Sequence, residues 1–122
     1  MENYNGKEVL NGLLFVKSMA APNNIVVTAS ECVKFAAKAN VRCKHAVLDD
    51  TISRSVDREV IYDLLDYLSN GKYQVLVVND IYDITFDPED LRTMIDRINN
   101  MGIIIFDLSI MAVRKNNYDQ EC

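Results

Sequence analysis

The stretch "VLVVNDIYDITFDPEDL", residues 75–91, decides the fold. Val75, Leu76, Val77 and Val78 are apolar without a break, the pattern of a parallel strand covered on both faces rather than one half exposed to water. Asp87 and Pro88 then open a helix: Asp87 is a good N-cap, Pro88 suits the first helical position, and Glu89 and Asp90 complement the positive end of the helix dipole. Strand, loop and capped helix in this order form half of a βαβ unit. The connecting IYDITF contains no Gly, Lys or Arg, although such loops in α/β proteins commonly carry the chemistry.

Working outward, the same alternation recurs. Upstream, "DREVIYDLLDYLSNGK" places Val60, Ile61, Leu64, Leu65 and Leu68 on one helical face, with Asp57 as expected N-cap and Asn70-Gly71 as the stop. "KHAVLDD" before it and "LLFVKS" near the start read as strands, and "ASECVKFAAKAN" as a helix entered through a loop over residues 19–28. Downstream, Gly102 ends the helix begun at Asp87, and "IIIFDLS" is a fourth strand. The order β-α-β-α-β-α-β predicts a three-layer α/β/α domain with a mostly parallel four-stranded sheet. Residues 110–122 are expected to be a frayed tail or to form a short helix over "IMAVRKNNY".

The bulk properties agree with one globular domain. The chain has 122 residues, 49% hydrophobic and 25% charged, enough for a single core. No apolar run is long enough for a membrane-spanning helix, no secretory leader pattern opens the chain, and a cytoplasmic location is expected. Cys32, Cys43 and Cys122 form no C-x-x-C pair, so no cysteine-based metal site is predicted. The net charge of −5 disfavours DNA as a partner on charge grounds, because phosphate neutralisation dominates nucleic-acid affinity.

In a parallel sheet, ligands meet the carboxyl ends of the strands. Here those ends are Lys17-Ser18-Met19, residues 49–58, residues 79–87 and residues 107–109. No glycine follows a strand into a helix, which argues against a dinucleotide or P-loop site. His45 at a strand start suits a structural role. Asp49, Asp50 and Asp80 could hold Mg²⁺ in a receiver-like arrangement, although aspartate at strand ends is also ordinary turn chemistry.

From the acid Asp49 through Asp57-Arg58, the paired leucines, Gly71-Lys72, the valine-rich strand and the strand ending at Ser109, the chain resembles the N-terminal catalytic domain of serine recombinases, the resolvase/invertase family. The resemblance implies a flavodoxin-like topology, DNA strand cleavage and exchange through a phosphoserine link, mobile-element origin, and assembly with itself or a related recombinase. Carried onto this chain, Ser18 stands at the nucleophile position, Arg58 at a phosphate-contacting arginine and Ser53 in the loop after the second strand. The departures are specific. The family's Leu-Asp-Arg-Leu-x-Arg motif falls on Ile81-Tyr82-Asp83-Ile84-Thr85-Phe86, so two arginines become Asp83 and Phe86, and the arginine of the first strand becomes Val16. Phosphoryl transfer depends on cationic stabilisation of phosphate oxygens, so cleavage is expected to be lost or very weak. No cofactor or metal is implied. The alternatives are a non-enzymatic α/β interaction module and a receiver-like metal-binding domain.

Overall fold

A computed structural model describes residues 8–18 and 22–116. Cys122 and the expected tail from residue 117 lie outside the described residues, as does Met19. The elements run β1 (Leu10–Lys17), α1 (Pro22–Lys38), β2 (Val41–Asp49), α2 (Glu59–Ser69), β3 (Val75–Val78), a short 3-10 turn (Ile81–Asp83), α3 (Pro88–Asn100), β4 (Ile104–Asp107) and β5 (Ala112–Arg114). They form a five-stranded sheet in the order β2-β1-β3-β4-β5. The first four strands pair in parallel, and β5 pairs antiparallel to β4.

Val75–Val78 is buried at every position, because β3 lies between β1 and β4 with apolar side chains packed on both sheet faces. On one face, Leu13, Phe15, Leu76, Val78 and Ile105 pack against Ile61, Leu64 and Leu68 of α2 and Met94, Ile95 and Ile98 of α3. On the other, Leu14, Val16, Val75 and Val77 meet Ile25, Ala29, Cys32 and Ala36 of α1. The stripes recur at helical spacing on each helix, and their burial provides most of the driving force for folding.

Both ends of α3 and the Asn70-Gly71 stop of α2 follow their sequence signals, whereas the starts of α1 and α2 differ. The Asp87 carboxylate accepts from the amides of Glu89 (2.9 Å) and Asp90 (3.4 Å). Gly71 and Gly102 follow α2 and α3 with φ of 77° and 83°, a conformation that favours glycine. The cap of α2 is Arg58 rather than Asp57, and it supplies no side-chain cap hydrogen bond, because a guanidinium has only donors and cannot accept from the helix amides. Helix α1 begins at Pro22, seven residues before the start expected from the sequence, since Ile25 and Ala29 extend the buried stripe toward the N-terminus. The segment expected to fray or form a helix after residue 110 instead supplies β5 at Ala112–Arg114, held by an ion pair from Arg114 Nε to Asp107 Oδ2 at 2.9 Å.

Gly12 marks the point where the β1–β2 register shifts. A Cβ at this position would meet Val41 Cγ1 at 2.7 Å, too close without displacement. Gly12→Ala is therefore expected to destabilise by about 1–3 kcal/mol through overpacking, read as a lower urea midpoint. A neutral or stabilising result would show that Val41 rotates away freely.

Candidate functional site

Strand order reverses between β1 and β3, so the carboxyl end of β1 is where an open α/β sheet presents its ligand crevice. Ser18 stands there, half-buried, with its amide donating to the Asp49 carbonyl at 2.8 Å. The loops after β2, β3 and β4 converge on the same end of the sheet.

Asp49, the last residue of β2, organises the site. Its carboxylate is buried and fully engaged. Oδ1 accepts from the Thr51 amide (3.0 Å) and hydroxyl (2.6 Å). Oδ2 accepts from Lys17 Nζ (3.1 Å) and Arg58 Nε (2.9 Å). Burial pushes this carboxyl up, but the hydrogen bonds from Thr51, Lys17 and Arg58 together hold it below the ordinary carboxylate value. The two cations exceed the one acid, and main-chain carbonyls take the surplus. Lys17 also donates to the carbonyls of Thr51 and Ser53 (the latter at 2.7 Å). Arg58 donates to the carbonyls of Ser55, Ile84 and Asp83, each at 2.8 Å.

This arrangement determines what the sequence-derived candidates do. Arg58 is brought to the site, but its fork points inward, tying the loop after β2 to the loop after β3. Ser53 lies on the exposed surface of the former loop, and its hydroxyl accepts from the Ser55 amide at 3.1 Å. Lys17, which sequence parity places on the opposite sheet face from Ser18, is buried on the side of α2 and α3 and points to Asp49. Among the described residues no group of three or more His, Cys, Asp or Glu side chains converges as a metal site. Asp49, with both oxygens taken by protein donors, is a poor ligand for the receiver-like alternative.

The 3-10 turn and the residues after it to Phe86 occupy the place where the resembled motif carries two arginines, at Asp83 and Phe86. Asp80 caps it, accepting from the Tyr82 amide at 2.9 Å, and Asp107 Oδ2 accepts from the Ile81 amide at 3.3 Å. Asp83 is buried, and its Oδ2 is the one buried side-chain oxygen or nitrogen among the described residues with no hydrogen-bond partner. Its Oδ1 lies 3.9 Å from Arg54 Nη1, beyond hydrogen-bond distance. Burial, and then the neighbouring Asp80, push the Asp83 carboxyl up to about 6. Arg54 donates to the Tyr82 carbonyl at 2.6 Å and stacks over Phe86 with its Cζ 4.2 Å from the ring centre. The Phe86 and Tyr82 ring centres lie 6.3 Å apart, and Arg114 lies over the Tyr82 ring at 5.8 Å. Sequence reading missed this cation–aromatic row because its members come from the loop after β2, the segment after β3 and strand β5. His45 is exposed and stacks on Tyr67 at 4.5 Å, outside the site.

No protein-family model and no curated protein matches the sequence. Two solved structures share the architecture. The N-terminal catalytic domain of TP901-1 integrase superposes with a TM-score of 0.71 at 11% identity, over 84% of this chain and 80% of that one. The C-terminal catalytic domain of ISC1926 TnpA, an IS607-like serine recombinase, gives 0.71 at 10% identity, over 81% and 69%. The strand order, the covered parallel core and these superpositions lead to one conclusion: the chain has the fold of a serine recombinase catalytic domain.

Proposed function

We propose that the protein is a serine-recombinase-type domain that acts by associating with other protein chains, with strand cleavage at Ser18 lost or very weak. The observation that carries this reading is the inward direction of the cations. Lys17 and Arg58 share the Asp49 carboxylate and five main-chain carbonyls. A phosphodiester at Ser18 would need those donors facing outward, because Arg and Lys stabilise the charge that develops on its oxygens. Asp83, standing where the resembled motif carries an arginine, adds a carboxyl of the wrong charge. A serine hydroxyl without such an environment is a weak nucleophile.

The alternative of an active DNA recombinase requires Lys17 or Arg58 to leave Asp49. Uncovering a buried ion pair costs several kcal/mol. Titration with inorganic phosphate, and separately with a mixed-sequence DNA duplex, followed by ¹H–¹⁵N NMR, tests the reading. The expected result is no saturable shift at the Ser18 amide or the Arg58 Nε–H. Saturable shifts at both would establish a phosphate site and overturn the proposal.

A further inference from the structure

The parallel sheet sorts charge along its axis. Its carboxyl end carries Asp50, Asp57, Asp80 and Glu89 in exposed or half-buried loop and helix-start positions, and these acids outnumber the half-buried Arg54 and Arg114 lying on the Phe86 and Tyr82 rings. The same end leaves apolar groups in water: Ile52 is 97% exposed, Phe86 63% and Tyr82 40%. The amino end is built differently. Lys44 of β2 and Lys72 before β3 line one open cleft with Asn11, His45 and Tyr73, and Arg42 stands exposed on the same strand. Neither Lys44 nor Lys72 forms an ion pair with a described residue. Exposed aromatic residues beside Arg typify the centre of protein–protein contacts.

We propose that copies of this chain associate head to tail, the acidic aromatic end of one seated on the Lys44–Lys72 cleft of the next. Opposite charge at the two ends selects a second copy as occupant, its Lys44 and Lys72 facing the exposed acids Asp50, Asp57 and Glu89, while Arg54 and Arg114 remain on the Phe86 and Tyr82 rings. Charge also sets aside single-stranded nucleic acid, which an aromatic row could otherwise stack, because the surrounding acids repel its phosphates. Such a contact joins two different surfaces, so it does not close on itself and growth passes beyond the dimer. This inference does not depend on whether Ser18 cleaves DNA.

Sedimentation velocity on the full chain tests it, in low salt (~20 mM) and in ~0.5 M salt, where exposed charges are screened. The expected result in low salt is a weight-average mass that climbs with concentration beyond that of two chains. In high salt it returns to the single-chain 13.9 kDa. The double variant Lys44→Glu/Lys72→Glu should stay at the single-chain mass, as should Asp50→Lys/Glu89→Lys. Mixing the two should restore association, a readout that misfolding of either cannot produce. A wild-type chain that remains single at ~1 mM in low salt overturns the proposal. So does a dimer that neither double variant affects, or variants that fail to associate on mixing.

Discussion

Asp49→Ala is expected to destabilise the domain by about 3–5 kcal/mol, the range for removing one partner from a buried ion pair. Among the described residues the carboxylate is the only acid in hydrogen-bond contact with the buried Lys17 and Arg58, and its loss removes that counter-charge from two cations. It also frees the Thr51 amide and hydroxyl. With native stability typically 5–15 kcal/mol, such a change brings a small domain close to unfolding at room temperature. Thr51→Ala, which removes one hydroxyl from the same network, should cost only about 1 kcal/mol. Urea denaturation of the two variants measures the contrast. An Asp49→Ala cost below about 1 kcal/mol would mean that Lys17 and Arg58 find water, and that the site is far more open than its geometry implies.

Asp49 also fixes the acid limb of the stability curve. Its folded value lies below the ordinary one, so its stabilisation is present above about pH 4, the unfolded carboxylate value. That contribution is lost as pH falls through the folded value.

Asp83→Asn is the second large effect, and its sign is opposite. The folded carboxyl titrates near 6, raised from 3.8, so the folded state binds this proton more tightly than the unfolded chain. Stability from this group is therefore full below about pH 4 and falls as pH rises toward 6. Two pH units correspond to about 3 kcal/mol at most. Removing the ionisable group should raise stability at pH 8 by about 1–3 kcal/mol and change little at pH 3.5. The chemical cause is visible: ionised Asp83 keeps a buried oxygen without a donor, while Arg54 remains 3.9 Å from the other. Chemical denaturation of both proteins from pH 3.5 to 8 gives the difference curve, and ¹³C NMR of the Asp83 carboxyl gives its titration directly. A carboxyl titrating below about 4.5, or a variant less stable at pH 8 than at pH 3.5 relative to wild type, would contradict the assignment.

The fold was legible wherever local signals and burial coincide. Val75–Val78 and the Asp87-Pro88 start of α3 carry their structure in adjacent residues. The α2 stripe from Ile61 to Leu68 does the same. The start of α1 was missed because Pro22 and the asparagines after it look like a loop, although Ile25, Ala29, Cys32 and Ala36 continue the helical period. β5 was illegible for a different reason. Three residues make no pattern, and what holds them is a pairing with β4 and the contact of Arg114 with Asp107, which sequence adjacency cannot reveal. The same division holds at the site. The positions of Ser18, Ser53 and Arg58 near strand ends followed from resemblance and alternation. The direction of Arg58 and the role of Lys17 did not, because both depend on Asp49 accepting from residues 32 and 9 positions away. The loop IYDITF, free of cations in the sequence, borrows two in space: Arg54 from the loop after β2 and Arg114 from β5. Both stack on its aromatic rings, and Arg54 also donates to the Tyr82 carbonyl.

The central claim is that a recombinase-type fold is retained here while its cations face Asp49 and the main chain instead of a phosphate. The most direct measurement is covalent capture: incubation with a pool of supercoiled plasmids carrying randomised inserts, denaturation, and recovery of DNA bound to protein. The account predicts no covalent adduct above the level given by Ser18→Ala. An adduct formed by the wild-type chain and absent from Ser18→Ala would contradict it.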